Sequence, residues 1–392
     1  MRGRLGRTFV LVSVLALTAV ACGDGGEGGQ GDGDGDGPIK IGYVADFSEV
    51  FSYYDVPLRD GAEYAIEEIN ADGGVLGREL QLIARDNRND VATGTRATQE
   101  VLDEGIVYMI GTTSDAFLAQ SQLVCDASIA TSTGDSTAPT LTQDIPCAYQ
   151  LVMSDNVQGA VAAEYALEQG YGTAYLLGSE EIPYTANLPG YFEEVFTAGG
   201  GTIVGEDQYQ IGAGDYSAQA TRIANLAEQP DVIFTPMFIP DTPVFLQQLR
   251  QAGVDTPVLS TDGNHDAALL DTGANALDGF AFTTHAFPAE GTPLADFDAR
   301  FEQDTGKPPL SVVVGVGYDE IYALKSAIEA AGSADPEQIA AALASVDHTG
   351  VTGTITMDAE SRRAEKEVTI VLLDGAEMTY VGASYPGTVP EP

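Results

Sequence analysis

A regular alternation of strand-like and helix-like segments from Ile39 onward is the strongest constraint on the fold of this chain. We predict a strand at IKIGYVADF, a helix at LRDGAEYAIEEINADG that Gly73 and Gly74 end, and an alternating strand at ELQLIARD. The same order of elements starts again at GAVAAEYALEQG. Such βαβα order predicts an α/β fold with two successive doubly wound parallel sheets, which bind ligands beyond the carboxyl ends of their strands.

The chain is long and strongly acidic. Its 392 residues predict two or three domains, and its hydrophobic content of 44% is sufficient for buried cores. The formal net charge of −42 repels phosphate groups, so nucleic acid and anionic membrane surfaces are poor partners. The sequence has no nucleophile elbow, His-Glu-x-x-His motif or Walker loop, and we expect neither enzyme activity nor a cofactor.

The amino terminus has the pattern of an export signal. Three arginines in MRGRLGR precede an apolar run of 13 residues, FVLVSVLALTAVA, which is too short to span a bilayer stably. The run ends in AVAC, which resembles a bacterial lipobox. We therefore expect a lipoprotein signal peptide at 1–21, lipidation of Cys22, and anchoring at the outer face of the cell membrane. The alternative is an ordinary signal peptide that is cleaved near the same place.

Residues 22–37 alternate glycine with acidic residues and cannot bury apolar surface, so we expect a flexible tether rather than a calcium loop. The two other cysteines, Cys125 and Cys147, are most simply explained by one disulfide in an exported protein. Its loop of about 22 residues would stabilise the fold by roughly 3 kcal/mol. With three histidines and no Cys-x-x-Cys motif, we expect no metal site.

Several segments together resemble a known family. The helix before GGVLG contains Glu67, Asn70, Gly73 and Gly74 in a Glu-x-x-Asn-x-x-Gly-Gly pattern. Further segments follow in the family's order: MIGTTSDAFLAQ, STAPTLT, SDNVQGAVAAEYAL and GVTGTITMD. From Ile39 to about Gly382, the chain is similar to substrate-binding proteins of ABC transporters for branched-chain amino acids and amides, which have the type I periplasmic-binding fold.

The resemblance implies two lobes that are joined by a hinge of three crossings. One lobe would comprise residues 38–152 plus 286–366, and the other residues 153–285 plus 367–392. A monomer of this kind would close on an amino acid, amide or amine in the cleft and deliver it to an ABC permease. The alternative is a binding module of the same fold that signals through a partner protein.

The resemblance also implies ligand contacts beyond the strands of the first lobe. Ser114 falls where the family binds a carboxylate, and its place before a helix suits an anion, although a serine there also serves as a simple helix cap. Thr137 matches a threonine that bonds both ends of an amino acid. Asp135 stands where the family has a small residue, so it either accepts from an ammonium group or faces solvent.

In the second lobe, Tyr184 matches a tyrosine at the cleft, and packing is its alternative role. Asp262 matches the acid that pairs with the ligand's ammonium group, and helix capping is its alternative role. A charge-assisted bond from this carboxylate would stabilise the complex by about 1.5–3 kcal/mol.

Aromatic residues cluster in the segment DFSEVFSYYD. Phe47, Phe51, Tyr53 and Tyr54 lie here, and we expect Phe47 and Phe51 to offer apolar area to the ligand, whereas the alternative is packing on the next helix. The segments predicted to form the cleft contain no lysine or arginine. They therefore suit a zwitterion, a neutral amide or a cation.

Overall fold

The computed structural model describes residues 37–113, 116–375 and 377–392. Its first sheet is wholly parallel, with the order β2-β1-β3-β4-β5. The elements of this part are β1 (Ile39–Ala45), α1 (Ser52–Ala71), β2 (Leu80–Asp86), α2 (Val91–Asp103), β3 (Tyr108–Ile110), α3 (Phe117–Asp126), β4 (Ala130–Ser132), α4 (Thr140–Asp144) and β5 (Ala148–Tyr149). The predicted alternation of strands and helices is confirmed here.

A second α/β unit follows directly. It comprises α5 (Asp155–Glu168), β6 (Thr173–Gly178), α6 (Pro183–Ala198), β7 (Thr202–Gln208), α7 (Ser217–Ala224), β8 (Val232–Phe234), α8 (Asp241–Gln251), β9 (Val258–Ser260), α9 (Ala274–Leu277) and β10 (Phe280–Thr284). Two short 3-10 helices, Asp262–Asn264 and Ala267–Thr272, connect β9 to α9.

The last part of the chain contributes to both units. It contains α10 (Pro293–Thr305), α11 (Val313–Ala331), α12 (Pro336–Leu343), β11 (Asp347–Gly350), β12 (Gly353–Asp358), β13 (Arg363–Glu365), β14 (Val368–Asp374) and β15 (Glu377–Ser384). The second sheet has the order β15-β14-β10-β9-β8-β6-β7, in which β14 and β15 pair antiparallel. Strands β11 to β13 form a small antiparallel sheet.

The hydrophobic cores follow this division. The first core cluster joins residues of 39–152 to residues of 294–364. Two further clusters pack on the second sheet and draw on residues between 160 and 373. The chain therefore passes between the two sheets three times: after β5, after β10 and after β13. These are the features of the two-lobed α/β fold that the sequence predicts.

Helices α1 and α11 meet at two glycines. A Cβ atom on Gly61 would lie 1.8 Å from the carbonyl oxygen of Val314, and one on Gly317 would lie 2.0 Å from that of Leu58. Neither position has room for a side chain, because the two backbones are already in contact. The glycines thus allow the late helix α11 to pack closely on the first helix of the chain.

The disulfide predicted between Cys125 and Cys147 is present in the structure. It ties the end of α3 to the residue that precedes β5. Within the described ranges, no helix combines the length and apolar character needed to cross a membrane.

Candidate functional site

A cavity of about 360 Å³ lies where the segments that follow the strands of both sheets converge. Its walls come from the loops after β3, β4, β6, β8 and β9, together with the start of α1. The position agrees with the general rule that α/β sheets bind ligands beyond the carboxyl ends of their strands. The apolar part of the wall consists of Phe51, Phe117, Leu118, Ala138, Leu141, Ile145, Ile182, Pro183 and Phe238.

The polar part of the wall is rich in acids and hydroxyl groups. The structure brings Asp135, Thr137, Tyr184 and Asp262, all of them predicted site residues, to this cavity together with Phe51. Among the lining residues within the described ranges, none is a lysine or an arginine. The cavity can therefore offer carboxylates to a positively charged group, and it presents no side-chain cation to an anion.

Asp262 follows β9 and starts the 3-10 helix Asp262–Asn264. The hydroxyl of Tyr184 donates to its Oδ1 atom at 2.8 Å and lies 2.6 Å from the hydroxyl of Thr261. Burial raises the pKa of the Asp262 carboxyl, His285 opposes that shift, and Asp135 reinforces it. Tyr184 thus orients a carboxylate in the cavity wall, and the ring of Phe238 packs on Tyr184 at 6.2 Å between centroids.

Asp135 is placed by a tight turn after β4. Gly134 has a φ of 59°, and a Cβ atom on it would lie 2.4 Å from the carbonyl oxygen of Gly111, so the turn requires a glycine. The amide of Gly134 donates to the hydroxyl of Ser132 at 3.1 Å. Asp135, directly after the turn, is only 8% exposed, so it does not face open solvent as the alternative in the sequence analysis allowed.

His285 was missed by the sequence analysis. Its ring is 2% exposed, and its Nε2 atom lies 3.2 Å from Oδ1 of Asp135 and 3.5 Å from Oδ2 of Asp262. The ring is thus an electrostatic partner of both carboxylates, although neither contact is an aligned hydrogen bond. His285 follows β10, a strand that we did not predict, and the only signal in the sequence is a histidine that ends the apolar run GFAFTT.

Two further buried acids support the walls of the cavity. Asp55 in α1 accepts hydrogen bonds from the hydroxyls of Thr112 (2.6 Å) and Thr113 (2.9 Å) and from the amide of Thr113 (3.0 Å). Burial raises the pKa of Asp55 to about 6, although these hydrogen bonds lower it. The contacts fix the loop after β3 to α1, and in the sequence Asp55 only ends the aromatic segment DFSEVFSYYD, which gave no signal of this role.

Asp155 is the second of these acids and begins α5. Its amide donates to the carbonyl oxygen of Thr137 at 2.8 Å, and its Oδ1 accepts from Nε2 of Gln158 at 2.9 Å. Burial raises its pKa to about 8, and the charge of Asp262 adds to the shift. This shift favours the protonated form of Asp155, and its backbone amide holds the Thr137 segment in place.

The predicted aromatic residues take different positions. Phe51 lines the cavity, and so does Tyr54, whose hydroxyl reaches the carbonyl oxygen of Gly263 at 3.4 Å. Phe47 packs instead on Tyr43 at 5.4 Å between ring centroids and lies under the guanidinium of Arg59 at 4.9 Å. It is not among the described residues that line the cavity, and its position is that of the packing alternative.

Several predicted features lie outside the described residues. They are Ser114, Cys22, the signal peptide 1–21 and almost all of the tether 22–37.

Comparison with known proteins assigns the chain to a family. Residues 38–377 match the family model described as periplasmic binding protein. The chain is 28% identical over 309 residues to a Leu/Ile/Val-binding protein of Rhizobium johnstonii, covering 78% of this chain and 83% of that protein. It is 27% identical over 329 residues to the Leu/Ile/Val-binding protein of Escherichia coli, with coverages of 82% and 86%.

Solved structures show the same fold. A leucine-binding protein of Thermotoga maritima matches with a TM-score of 0.79 and 27% identity, over 89% of this chain and 99% of that one. A solute-binding protein of an ABC transporter from R. palustris, solved with benzoate, matches with a TM-score of 0.78 and 19% identity, over 91% and 98%. The fold is thus shared with a protein named for leucine binding and with one that was solved with benzoate.

Proposed function

Because this chain belongs to the periplasmic binding protein family, we propose that it is the extracytoplasmic solute-binding lipoprotein of an ABC importer. It binds an amino acid, an amide or a similar small amine-bearing solute and delivers that solute to a membrane permease. It acts as a monomer without enzyme activity or cofactor, and the lipid on Cys22 holds it at the cell surface.

One observation carries the proposal: a cavity that both sheets line combines two buried carboxylates with aromatic rings and contains no basic side chain among its described residues. A carboxylate in such a site forms a charge-assisted hydrogen bond with an ammonium group, and the rings provide apolar contact area. We assign the ammonium contact to Asp262, its orientation to Tyr184, and further contacts to Asp135, Thr137, Phe51 and, beyond the described residues, Ser114.

The mechanism is hinge closure. We propose lobes of 38–152 plus 286–366 and of 153–285 plus 367–392, which carry opposite walls of the cavity. A solute that touches both walls stabilises the closed form over the open form, and the permease recognises that closed form. The contact between Tyr54 and Gly263 joins α1 of one lobe to the loop after β9 of the other, so it belongs to the closed arrangement.

A thermal-shift screen of the full chain tests the binding function. The panel contains branched-chain and aromatic amino acids, their amides and their amines. A binder at 100 times its Kd stabilises the native state by about 2.7 kcal/mol. Asp262→Ala is expected to abolish the shift, whereas Glu228→Gln, which changes an exposed acid, is expected to retain it. A panel without any binder refutes the proposed solute class.

Uptake experiments test the delivery step. Deletion of the gene is expected to abolish uptake of the labelled binder by the host cell, and wild-type protein but not Asp262→Ala is expected to restore it. If the deletion leaves uptake unchanged although the purified protein binds the solute, the importer role is wrong and signalling through a partner replaces it.

A further inference from the structure

Building on the proposed function, we infer that the physiological solute is an organic cation, namely an amine with an apolar arm and no carboxylate, and that Asp135 together with Asp262 selects it over a zwitterionic amino acid. The inference rests on three features of the cavity: its paired acids, the absence of a side-chain cation among its described lining residues, and its apolar wall.

The first feature is the pair of acids. Asp135 and Asp262 have side chains that are 6% and 8% exposed, and both contact Nε2 of His285, at 3.2 Å and 3.5 Å. A zwitterion brings a carboxylate as well as an ammonium group, so it adds no net positive charge beside Asp135 and Asp262. A cationic amine adds one positive charge beside two carboxylates and a single imidazole, which is the better electrostatic match.

The second feature is that the described wall offers an anion only neutral hydrogen-bond donors, several of which already have acceptors. The hydroxyls of Thr112 and Thr113 and the amide of Thr113 already donate to Asp55. The Tyr184 hydroxyl donates to Asp262, and the Tyr54 hydroxyl donates to the carbonyl oxygen of Gly263. Within the described ranges, the wall contains no lysine or arginine. A solute carboxylate that entered the cavity would lose its water and find only neutral donors, such as the hydroxyls of Ser136, Thr137 and Thr140, and no side-chain cation among the described residues.

The third feature is the apolar wall, which Phe117, Leu141, Ile145, Ile182 and Pro183 help to form. It accommodates a hydrocarbon arm without further hydrogen bonds. The rings of Phe51, Tyr54 and Phe238 line the same cavity and provide negative faces that attract an organic cation. The ammonium group and the apolar arm of such an amine therefore both find matching residues in the cavity wall.

Matched pairs of compounds test the inference by titration calorimetry on the full chain. Leucine is compared with 3-methylbutylamine and with 4-methylpentanoate, and phenylalanine with 2-phenylethylamine and with 3-phenylpropanoate. Each amine lacks only the carboxylate of its amino acid, and each acid lacks only the amino group. We expect the amine to bind at least tenfold more tightly than the amino acid in at least one set, and neither acid to bind.

The outcomes separate the inference from the proposed function. Tighter or equal binding of the amino acid in every set that binds overturns the inference and leaves the proposed function intact. Binding of none of the compounds, or of the acids alone, overturns the inference, and the proposed function is then decided by the thermal-shift panel, which also contains the amides.

Two variants test the part of Asp135. Asp135→Ala introduces a small residue, as the resembling family has at this position. We expect it to weaken amine binding at least tenfold while amino acid binding changes less than threefold. Asp135→Asn keeps the shape and is expected to behave in the same way if charge is the cause. Glu228→Gln is the control for an exposed charge. Equal losses for amine and amino acid in both aspartate variants exclude a selective role for Asp135.

Discussion

The buried carboxyl of Asp155 predicts a specific pH dependence of stability. Its Oδ1 accepts one hydrogen bond from Gln158, and its Oδ2 is a buried atom without a hydrogen-bond partner. Burial raises the pKa of this carboxyl to about 8, from the ordinary value of 3.8 for an aspartate. Replacement by asparagine keeps the shape of the neutral acid and removes the titration, so the difference between the two proteins isolates this one group.

The sign of the effect follows from proton binding. Below about pH 4 the acid is protonated in both the native and the unfolded state, and above about pH 8 it is ionised in both. Between these values the native state binds more protons than the unfolded state, so the stability of the wild type falls as the pH rises. At 1.36 kcal/mol per pKa unit, the loss between pH 5 and pH 8 is roughly 3–4 kcal/mol relative to Asp155→Asn.

Urea unfolding followed by far-UV circular dichroism at pH 5, 6, 7 and 8 measures this difference. Other buried acids, such as Glu320 with a pKa raised by burial to about 7, are present in both proteins and cancel in the comparison. Glu228→Gln is the control variant, and its free energy of unfolding is expected to run parallel to that of the wild type. If the free energy of unfolding of Asp155→Asn changes with pH as that of the wild type does, the native carboxyl is ionised and the reasoning is wrong.

Three other changes have defined outcomes. Tyr184→Phe removes the hydroxyl that donates to Asp262, and we expect about tenfold weaker binding of the preferred solute by calorimetry, so an unchanged Kd would exclude an orienting role. The double variant Cys125→Ser, Cys147→Ser removes the disulfide and is expected to lower the free energy of unfolding by roughly 3 kcal/mol. The reduced wild type is the comparison, and an unchanged free energy of unfolding would contradict a stabilising role. Cys22→Ala is expected to abolish incorporation of labelled palmitate in cells, and continued labelling would contradict lipidation at that residue.

The fold was largely predictable because its elements are long and periodic. Helix α1 and strand β2 have clear patterns, and the glycines between them mark the reversal of the chain. Strand β10 was missed because FAFTT is a short apolar run without alternation. Strand β15 was missed because its residues are mostly exposed, and it exists through antiparallel pairing with β14, which no local pattern reveals.

The site was predictable only in part. Asp262 and Tyr184 end or follow recognisable segments, and the structure places them in contact at 2.8 Å. His285, Asp55 and Asp155 were missed because their positions depend on burial and on partners far away in the sequence. His285, for example, meets Asp135 across 150 residues of chain, since β10 and the turn after β4 belong to different sheets.

The first core cluster contains residues from both ends of the chain, and this affects the order in which the protein can fold. Its amino-terminal sheet is covered in part by α11, and the glycine contact of α1 has no partner until that helix exists. We therefore expect residues 39–152 to reach their full tertiary stability only after α11 has been synthesised.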